Sequence, residues 1–568
     1  MLELLKWYAN KGDYRMLQTK VVSSLVKVFA DEEPAGGTYA RGSALWGEVF
    51  AFQVSFYSEQ LLKGLRVRVE APGLDGRVSV YAVGLAPSEL PWRDGRDDHY
   101  LRWTPGLYPD PLHPLALVDG VANGVAALPE QWRSIWVEAR LDESVAAGEH
   151  EVRVTFEGAD GAALGSEVFA LEVIPAALPE QKLIHTEWFH TDGIAQYYGV
   201  EVFSERYWEI VESFARTAVE HGINMLLTPL FTPPLDTAIG GERLTVQLVD
   251  VVVEGAGRYR FGFEKLARWA DMCDRVGVRY LEMSHLFTQW GAKHAPKIIG
   301  TVNGEVRKLF GWETDAAGEE YRTFLGQFLP ELKRFILERD LAGRVFFHVS
   351  DEPHLDHLEQ YRTVSAMLRE HLDEFPVIDA LSNYTFYESG AVKIPVPANN
   401  HIEEFLEHGV KPLWTYYCVS QRTDVSNRFF SMPSVRNRVI GTQLYKFDID
   451  GFLHWGYNFY NTQYSLAPVD PWKVTDAGQA FPSGDAFLVY PGADGKPVAS
   501  LRLKVFHEAL QDLRALQLLE SYVGKDAVVA LLEEGLDSPL TFSSYPCDEA
   551  WLLGVRERVN AAMKEHVR

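Results

Sequence analysis

Two hydrophobic rhythms divide this chain. Up to about residue 178, short runs rich in β-branched residues alternate with turn signals. VVSSLVKVFA, LRVRVEAPG, RVSVYAVGL, SIWVEARLD and HEVRVTFEG are the clearest runs, and PGLDG, AAGEH and GADG separate them. This pattern predicts the strands of a β-sandwich. One polar and aromatic stretch, WRDGRDDHYLRW, breaks the rhythm. It reads either as a solvated loop or as one that reaches toward another domain.

From about residue 182 the period changes. ERYWEIVESFARTAVEHG places Trp208, Ile210, Val211, Phe214 and Val219 on one helical face. FEKLARWADMCDRVG, EYRTFLGQFLPELKRFILERD and LDHLEQYRTVSAMLREHLDEF repeat that pattern. Between and after the helices lie eight short apolar segments: KLIHTEWFH (182–190), INMLLTPLF (223–231), VRYLEMSHLF (278–287), RVFFHVSDEP (344–353), PVIDALSNY (376–384), VKIPVPANN (392–400), KPLWTYYC (411–418) and GFLHWGYN (451–458). Strands alternating with helices in this number predict a TIM-like (β/α)8 barrel. The sixth is the weakest, because two prolines shorten it. ERLTVQLVDVVVEGAGRYRFGF (242–263) predicts a β-hairpin inserted after the second strand. The expected architecture is therefore multidomain: an N-terminal β-sandwich over 1–178, a catalytic barrel over 179–520 and a C-terminal helical extension over 521–568.

Composition narrows the partner. The 568 residues carry a net charge of −25, which disfavours nucleic acid and anionic membrane surfaces. Three widely spaced cysteines, Cys273, Cys418 and Cys547, form no metal-ligand or disulfide pattern. MLELLKWYANKGDYRM has no apolar leader core, and no apolar run is long enough to span a bilayer. The chain as given reads as cytoplasmic, with no cofactor motif and with self-association left open.

The eight segments end on polar or aromatic residues: HTEWFH, TPLF, SHLF, SDEP, SNY, ANN, YYC and WGYN. In a (β/α)8 barrel those ends share one face, where the functional groups gather. The rings of Trp188, Tyr384, Trp414, Tyr416, Trp455 and Tyr457 can pack on the C–H faces of sugars. The amides of Asn383, Asn399, Asn400 and Asn458 can bond hydroxyls. No glycine-rich phosphate loop is present, so a neutral carbohydrate suits this set better than a phosphate.

Asp351 and Glu352 close the fourth segment. Most glycosidases hold two carboxylates apart across the scissile bond, a span that adjacent residues rarely reach. Adjacent acids do suit the substrate-assisted variant, in which the sugar's 2-acetamido oxygen attacks the anomeric carbon. One acid then steadies the amide and its neighbour serves as acid and base, with the like charge beside Glu352 raising its proton affinity. The competing expectation is a helix cap, with Ser350 or Asp351 capping a helix that starts at Pro353. Glu282 and His285 on the third segment, with His294 after it and His185, Glu187 and His190 on the first, allow a metal site or sugar contacts. Glu282 also stands as a more distant acid partner of Glu352. Asp485 is either a loop anchor or a sugar ligand.

SDEP after the fourth segment, VRYLEMSHLFTQWGAKHAP (278–296), GFLHWGYN and GDAFLVYPG…SLRLKVFHEALQDLRALQLL (484–519) together resemble glycoside hydrolase family 123 over about 180–520. The resemblance implies an exo-acting β-N-acetylgalactosaminidase, and from the residues themselves no metal or cofactor is expected. It implies that Asp351 polarises the acetamido group and that Glu352 is the general acid/base. It also implies an aromatic box, for which Tyr384, Trp414, Tyr416 and Trp455 are the candidates. Two rival expectations remain: a glycosidase for another sugar on the same scaffold, and a non-catalytic carbohydrate-binding protein.

Overall fold

The computed structural model describes residues 16–567; most of MLELLKWYANKGDYRM lies outside it. The N-terminal region forms two sheets. One orders Gln18–Ser23, Val49–Tyr57, Arg133–Arg140, Val78–Ser88 and Gly106–Leu115. The other orders Arg41–Trp46, Ala163–Ala177, Gly148–Glu157, Leu62–Glu70, Val121–Ala127 and Leu117–Val118. Phe52, Val54 and Val137 of the first sheet share one buried cluster with Val67, Val154 and Phe169 of the second. The Phe52 and Phe169 rings stack at 4.4 Å.

Each of the five runs expected here overlaps a strand, but the first stops at Ser23. The sequence pattern misses Gly106–Leu115, GLYPDPLHPL, because proline cannot donate to a ladder. The strand escapes that limit by lying at a sheet edge. WRDGRDDHYLRW crosses to the rest of the molecule. Arg436 bonds Asp97 at 2.7 Å, the Tyr100 hydroxyl donates to Arg422 O at 3.0 Å, and Arg93 donates to Ala480 O.

Each of the eight apolar segments contains one short parallel strand. Six form a curled sheet in the order Val345–Phe346, Tyr280–Met283, Met225–Thr228, Ile184–Glu187, Gly451–His454 and Trp414–Tyr416. Ile378–Ala380 and Ile394–Val396 pair with each other. Parallel bridges Phe347–Val377 and Ala398–Tyr416 join that pair to the two ends of the curl. The amphipathic helices Glu205–Glu220, Glu264–Val276, Glu319–Glu338 and Leu358–Leu372 follow the first four strands. Ser204 starts the first of these by accepting a hydrogen bond from Tyr207 N, and Phe214 and Val211 anchor its buried face. The helix after the sixth strand shrinks to Glu403–Glu407.

The inserted hairpin is Asp250–Gly255 with Arg258–Gly262. A second hairpin, Ile298–Val302 with Glu305–Phe310, completes a four-stranded sheet that the sequence reading missed. Leu501–Val523 is one continuous helix through the boundary expected at residue 520. Buried charge ties it to the N-terminal sheets: Arg502 grips Asp110 at 2.8 and 3.0 Å. No helix among the described residues is long and apolar enough to cross a membrane.

Candidate active site

A cavity of about 190 Å³ opens where the parallel strands end. Strand alternation decides which side chains reach it. On the seventh strand Trp414, Tyr416 and Cys418 share the interior cluster, while Tyr417 packs outward on Phe452 and His454. Tyr416 and Cys418 line the cavity, but Trp414 sits one step too deep. Its ring covers Gly451, where an added Cβ would lie 2.0 Å from it.

Asp351 and Glu352 both line the cavity. They do not cap a helix. The helical turn begins at Leu355 with His354 as its cap, and the Ser350 hydroxyl donates to Thr288 O at 3.0 Å. The intervening SDEP is instead pinned from both sides. Asp351 O accepts from Trp290 N at 2.9 Å, and Glu352 N donates to Ala380 O at 3.0 Å. Glu352 holds a left-handed backbone, φ 42°, an uncommon conformation for a side-chain-bearing residue. Asp236, Trp290 and Tyr464, which also line the cavity, have φ of 38°, 57° and 60°. Strained backbone of this kind gathers at active sites and ligand clamps.

The acids are held differently. The Tyr416 hydroxyl donates to Glu352 Oε1 at 2.6 Å. Burial and the Glu352 charge push the Asp351 carboxyl well above its ordinary range, while His348 acts in the opposite sense. A third acid, Asp236, accepts from Tyr464 N at 3.0 Å. Burial raises its carboxyl to about 6, and that hydrogen bond only partly offsets the rise.

Of the expected site residues, Trp188, Asp351, Glu352, Tyr416 and Trp455 come together around the cavity. Glu282 and His285 lie behind its wall. Glu282 accepts from Thr186 Oγ1, from Trp188 Nε1 at 2.8 Å and from His348 Nε2 at 2.6 Å, so it has no reach toward the cavity. His285 stacks on His348 at 4.1 Å, with both ring nitrogens unpartnered. His285, His348 and Asp379 bring ligand atoms within 4.8 Å of one another. However, His348 turns both nitrogens toward carboxylates, which leaves it no lone pair for a metal.

The remaining expected residues sit elsewhere. Tyr457 is buried on the outer side and donates to Phe214 O at 3.0 Å. Asn458 clasps the His190 backbone at 2.8 and 3.0 Å. Asn383 lies just before the short helix Thr385–Glu388, its Oδ1 accepting from Thr385 N at 3.0 Å. Tyr384 stacks on His408 at 4.4 Å. Asp485 accepts from Trp455 Nε1 at 3.1 Å and so orients a cavity ring. Glu187 is buried in a bidentate pair with Arg428 at 2.6 and 2.7 Å.

Long loops supply what the strand ends lack. Leu235, Asp236, Gln289, Trp290, Gln463, Tyr464 and Phe481 complete the lining. Trp290 meets Tyr464 edge to face at 5.8 Å, and Ser465 Oγ donates to Asp236 O at 2.7 Å. His190 is held neutral beneath them, pushed down to about 3 by burial and by the Arg243 charge. Arg243 in turn grips Asp192 at 2.9 and 2.7 Å. Among the described residues, no lysine or arginine lines the cavity. Aromatic walls, three carboxylates and no cation suit an uncharged, hydroxyl-rich ligand.

Comparison with known proteins gives this chemistry a class. Residues 188–519 match the family model for glycoside hydrolase 123, catalytic domain, so the protein is a glycosidase. The chain belongs to glycoside hydrolase family 123. Its fold is shared with a solved family 123 glycoside hydrolase from Clostridium perfringens described for glycolipid glycan hydrolysis. That match has TM-score 0.73 and 12% identity, covering 97% of this chain and 98% of the other. A putative β-galactosidase from Bacteroides fragilis also aligns, with TM-score 0.33 and 8% identity over 86% of this chain and 62% of the other, too remotely to add to this. No curated protein matches the chain by sequence.

Proposed function

We propose that the protein is an exo-acting β-N-acetylgalactosaminidase working by substrate-assisted, retaining catalysis. The observation that carries this is the adjacent pair Asp351–Glu352, both members lining one aromatic cavity. The scaffold that suits it is a (β/α)8 barrel behind a β-sandwich.

In the first step the 2-acetamido carbonyl oxygen attacks the anomeric carbon. Glu352 gives its proton to the glycosidic oxygen, and the C–O bond to the aglycone breaks. Asp351, in the ionised form that its burial opposes, accepts a hydrogen bond from the amide N–H and stabilises the positive charge of the oxazolinium ring. In the second step Glu352, now a carboxylate, takes a proton from water as that water attacks the anomeric carbon. The ring opens and the product leaves with its configuration retained. Trp188, Tyr416 and Trp455 give the sugar and its acetamido methyl apolar faces.

Asp236 favours a second reading. As a third cavity carboxylate, it could partner Glu352 in a conventional two-acid mechanism on a sugar without an acetamido group. A panel of 4-nitrophenyl glycosides separates the two. Release of nitrophenol from the 2-acetamido-2-deoxy-β-galactoside, blocked by the matching thiazoline, supports the first reading. Turnover confined to 2-hydroxy sugars supports the second.

A further inference from the structure

A fully buried ion chain lies behind the cavity. His348 Nε2 meets Glu282 Oε1 at 2.6 Å, and Nδ1 meets Asp379 Oδ1 at 3.2 Å. With protons on both nitrogens the ring satisfies both carboxylates, so the geometry favours an imidazolium. Burial alone would discharge it, but the two hydrogen bonds and charges more than reverse this and raise it to about 9. The neighbouring ring of His285 is neutral, pushed well down by burial and by the His348 charge.

Each end of the chain holds part of the cavity. Glu282 accepts from Trp188 Nε1 at 2.8 Å, which fixes a wall ring. Asp379 accepts from Val349 N at 3.0 Å and from the Tyr361 hydroxyl. Val349 lies two residues before Asp351. Asp379 also precedes Ala380, whose carbonyl takes Glu352 N. The charges acting on Asp351 are those of Glu352, Asp379 and Asp236, all negative, and of His348, which is positive.

We propose that His348 is a positioning residue: a buried cation behind the acid pair that favours the ionised form of Asp351 for the amide N–H, while Glu282 and Asp379 hold Trp188 and the acid pair in register. The proposal rests on the role given to Asp351 above. It adds that the charge, and not only the packing, of His348 is needed. Isolated buried charges are costly, and this one is retained between two carboxylates with every partner placed.

Two measurements test it. The first uses the wild-type protein with ¹⁵N-labelled histidine and needs no turnover. A doubly protonated ring that persists at pH 8 and disappears in His348→Gln supports the proposal. The absence of any such ring at pH 7.5 overturns it. The second follows kcat/KM against pH on whichever aryl glycoside the enzyme cleaves. His348→Gln removes the positive charge and so raises the Asp351 proton affinity. The acid limb should move up by about one pH unit, a tenfold loss on that side. His348→Lys, which keeps a cation between the carboxylates, should return the limb toward wild type. Equal loss in both folded variants with an unmoved acid limb would leave His348 a packing role only and overturn the proposal. Failure of every aryl N-acetylhexosaminide would sink the functional reading while the labelled-histidine result still stood.

Discussion

The Tyr416 hydroxyl and Glu352 Oε1 meet at 2.6 Å across the end of the curled sheet, joining the seventh strand to the turn after the fourth. The contact orients the carboxylate through a residue whose own hydroxyl is held firmly protonated by burial and by the Glu352 charge. Tyr416→Phe should therefore keep the fold and cost catalysis. A hydrogen bond to a charged group contributes about 1.5–3 kcal/mol, so kcat/KM should fall about 10- to 100-fold. Steady-state kinetics beside a melting curve would check this. Loss of activity matched by loss of folding would count against it.

In the proposed mechanism Glu352→Gln removes the proton donor. The loss should be about 10²–10⁴-fold on glycosides with poor leaving groups, and much smaller when the aglycone leaves as 4-nitrophenolate. A series of aryl aglycones of rising pKa measures the slope. A loss independent of the leaving group would assign Glu352 another task.

Asp236 offers a stability test. Its carboxyl is raised from the ordinary 3.8 to about 6. The folded state therefore binds a proton more tightly than the unfolded chain. That contribution is complete below the unfolded value and is lost as pH rises toward 6. Asp236→Asn keeps an acceptor for Tyr464 N and does not titrate. It should melt near wild type at pH 4, melt higher at pH 7.5, and hydrolyse substrate more slowly. Melting curves at the two pH values decide the matter, and an equal offset at both would contradict it.

Glu187 shows the opposite sign. Burial opposes its charge, yet the paired Arg428 holds its carboxyl well below the usual range. Arg428→Met would leave that charge in the interior with only the His185 and His454 rings beside it, at a cost of about 3–5 kcal/mol. The penalty should shrink as pH falls and Glu187 takes up a proton. A thermal midpoint that barely changes at neutral pH would show that the pair contributes little.

The sequence made the parallel framework legible because each strand is a short apolar run ending on polar groups, a periodic signal. It placed the acid pair at the cavity because both residues close the fourth of those runs, although a helix cap was an equally local use for them. Alternation decided the rest. Trp414 and Tyr416 both face inward, but one lies a step below the cavity, a depth that strand periodicity does not encode. Tyr457 was misread because a ring at a strand end can pack on the outer helices just as well. Tyr384 and Asn383 belong to a surface turn beyond the fifth strand. Asp236, Trp290, Gln463, Tyr464 and Phe481 sit on long loops whose paths depend on contacts between loops, such as Asp236 with Tyr464. Trp290 stands in TQWG just after the third strand, and its ring beside a glycine was the available signal. Glu282 and His285 read as sugar contacts or metal ligands from their place on the third segment. Only the partners on the first and fourth strands place Glu282 in an ion chain, with His285 stacked beside it.

The central claim is that the substrate's own acetamido group is the nucleophile, steadied by Asp351. A set of 4-nitrophenyl β-galactosaminides whose N-acetyl group carries zero to three fluorines tests it most directly. Fluorine withdraws electrons from the attacking carbonyl oxygen while changing size little. Participation predicts that kcat/KM falls steeply with each fluorine. A flat series would contradict participation and shift the weight to a two-carboxylate mechanism through Asp236.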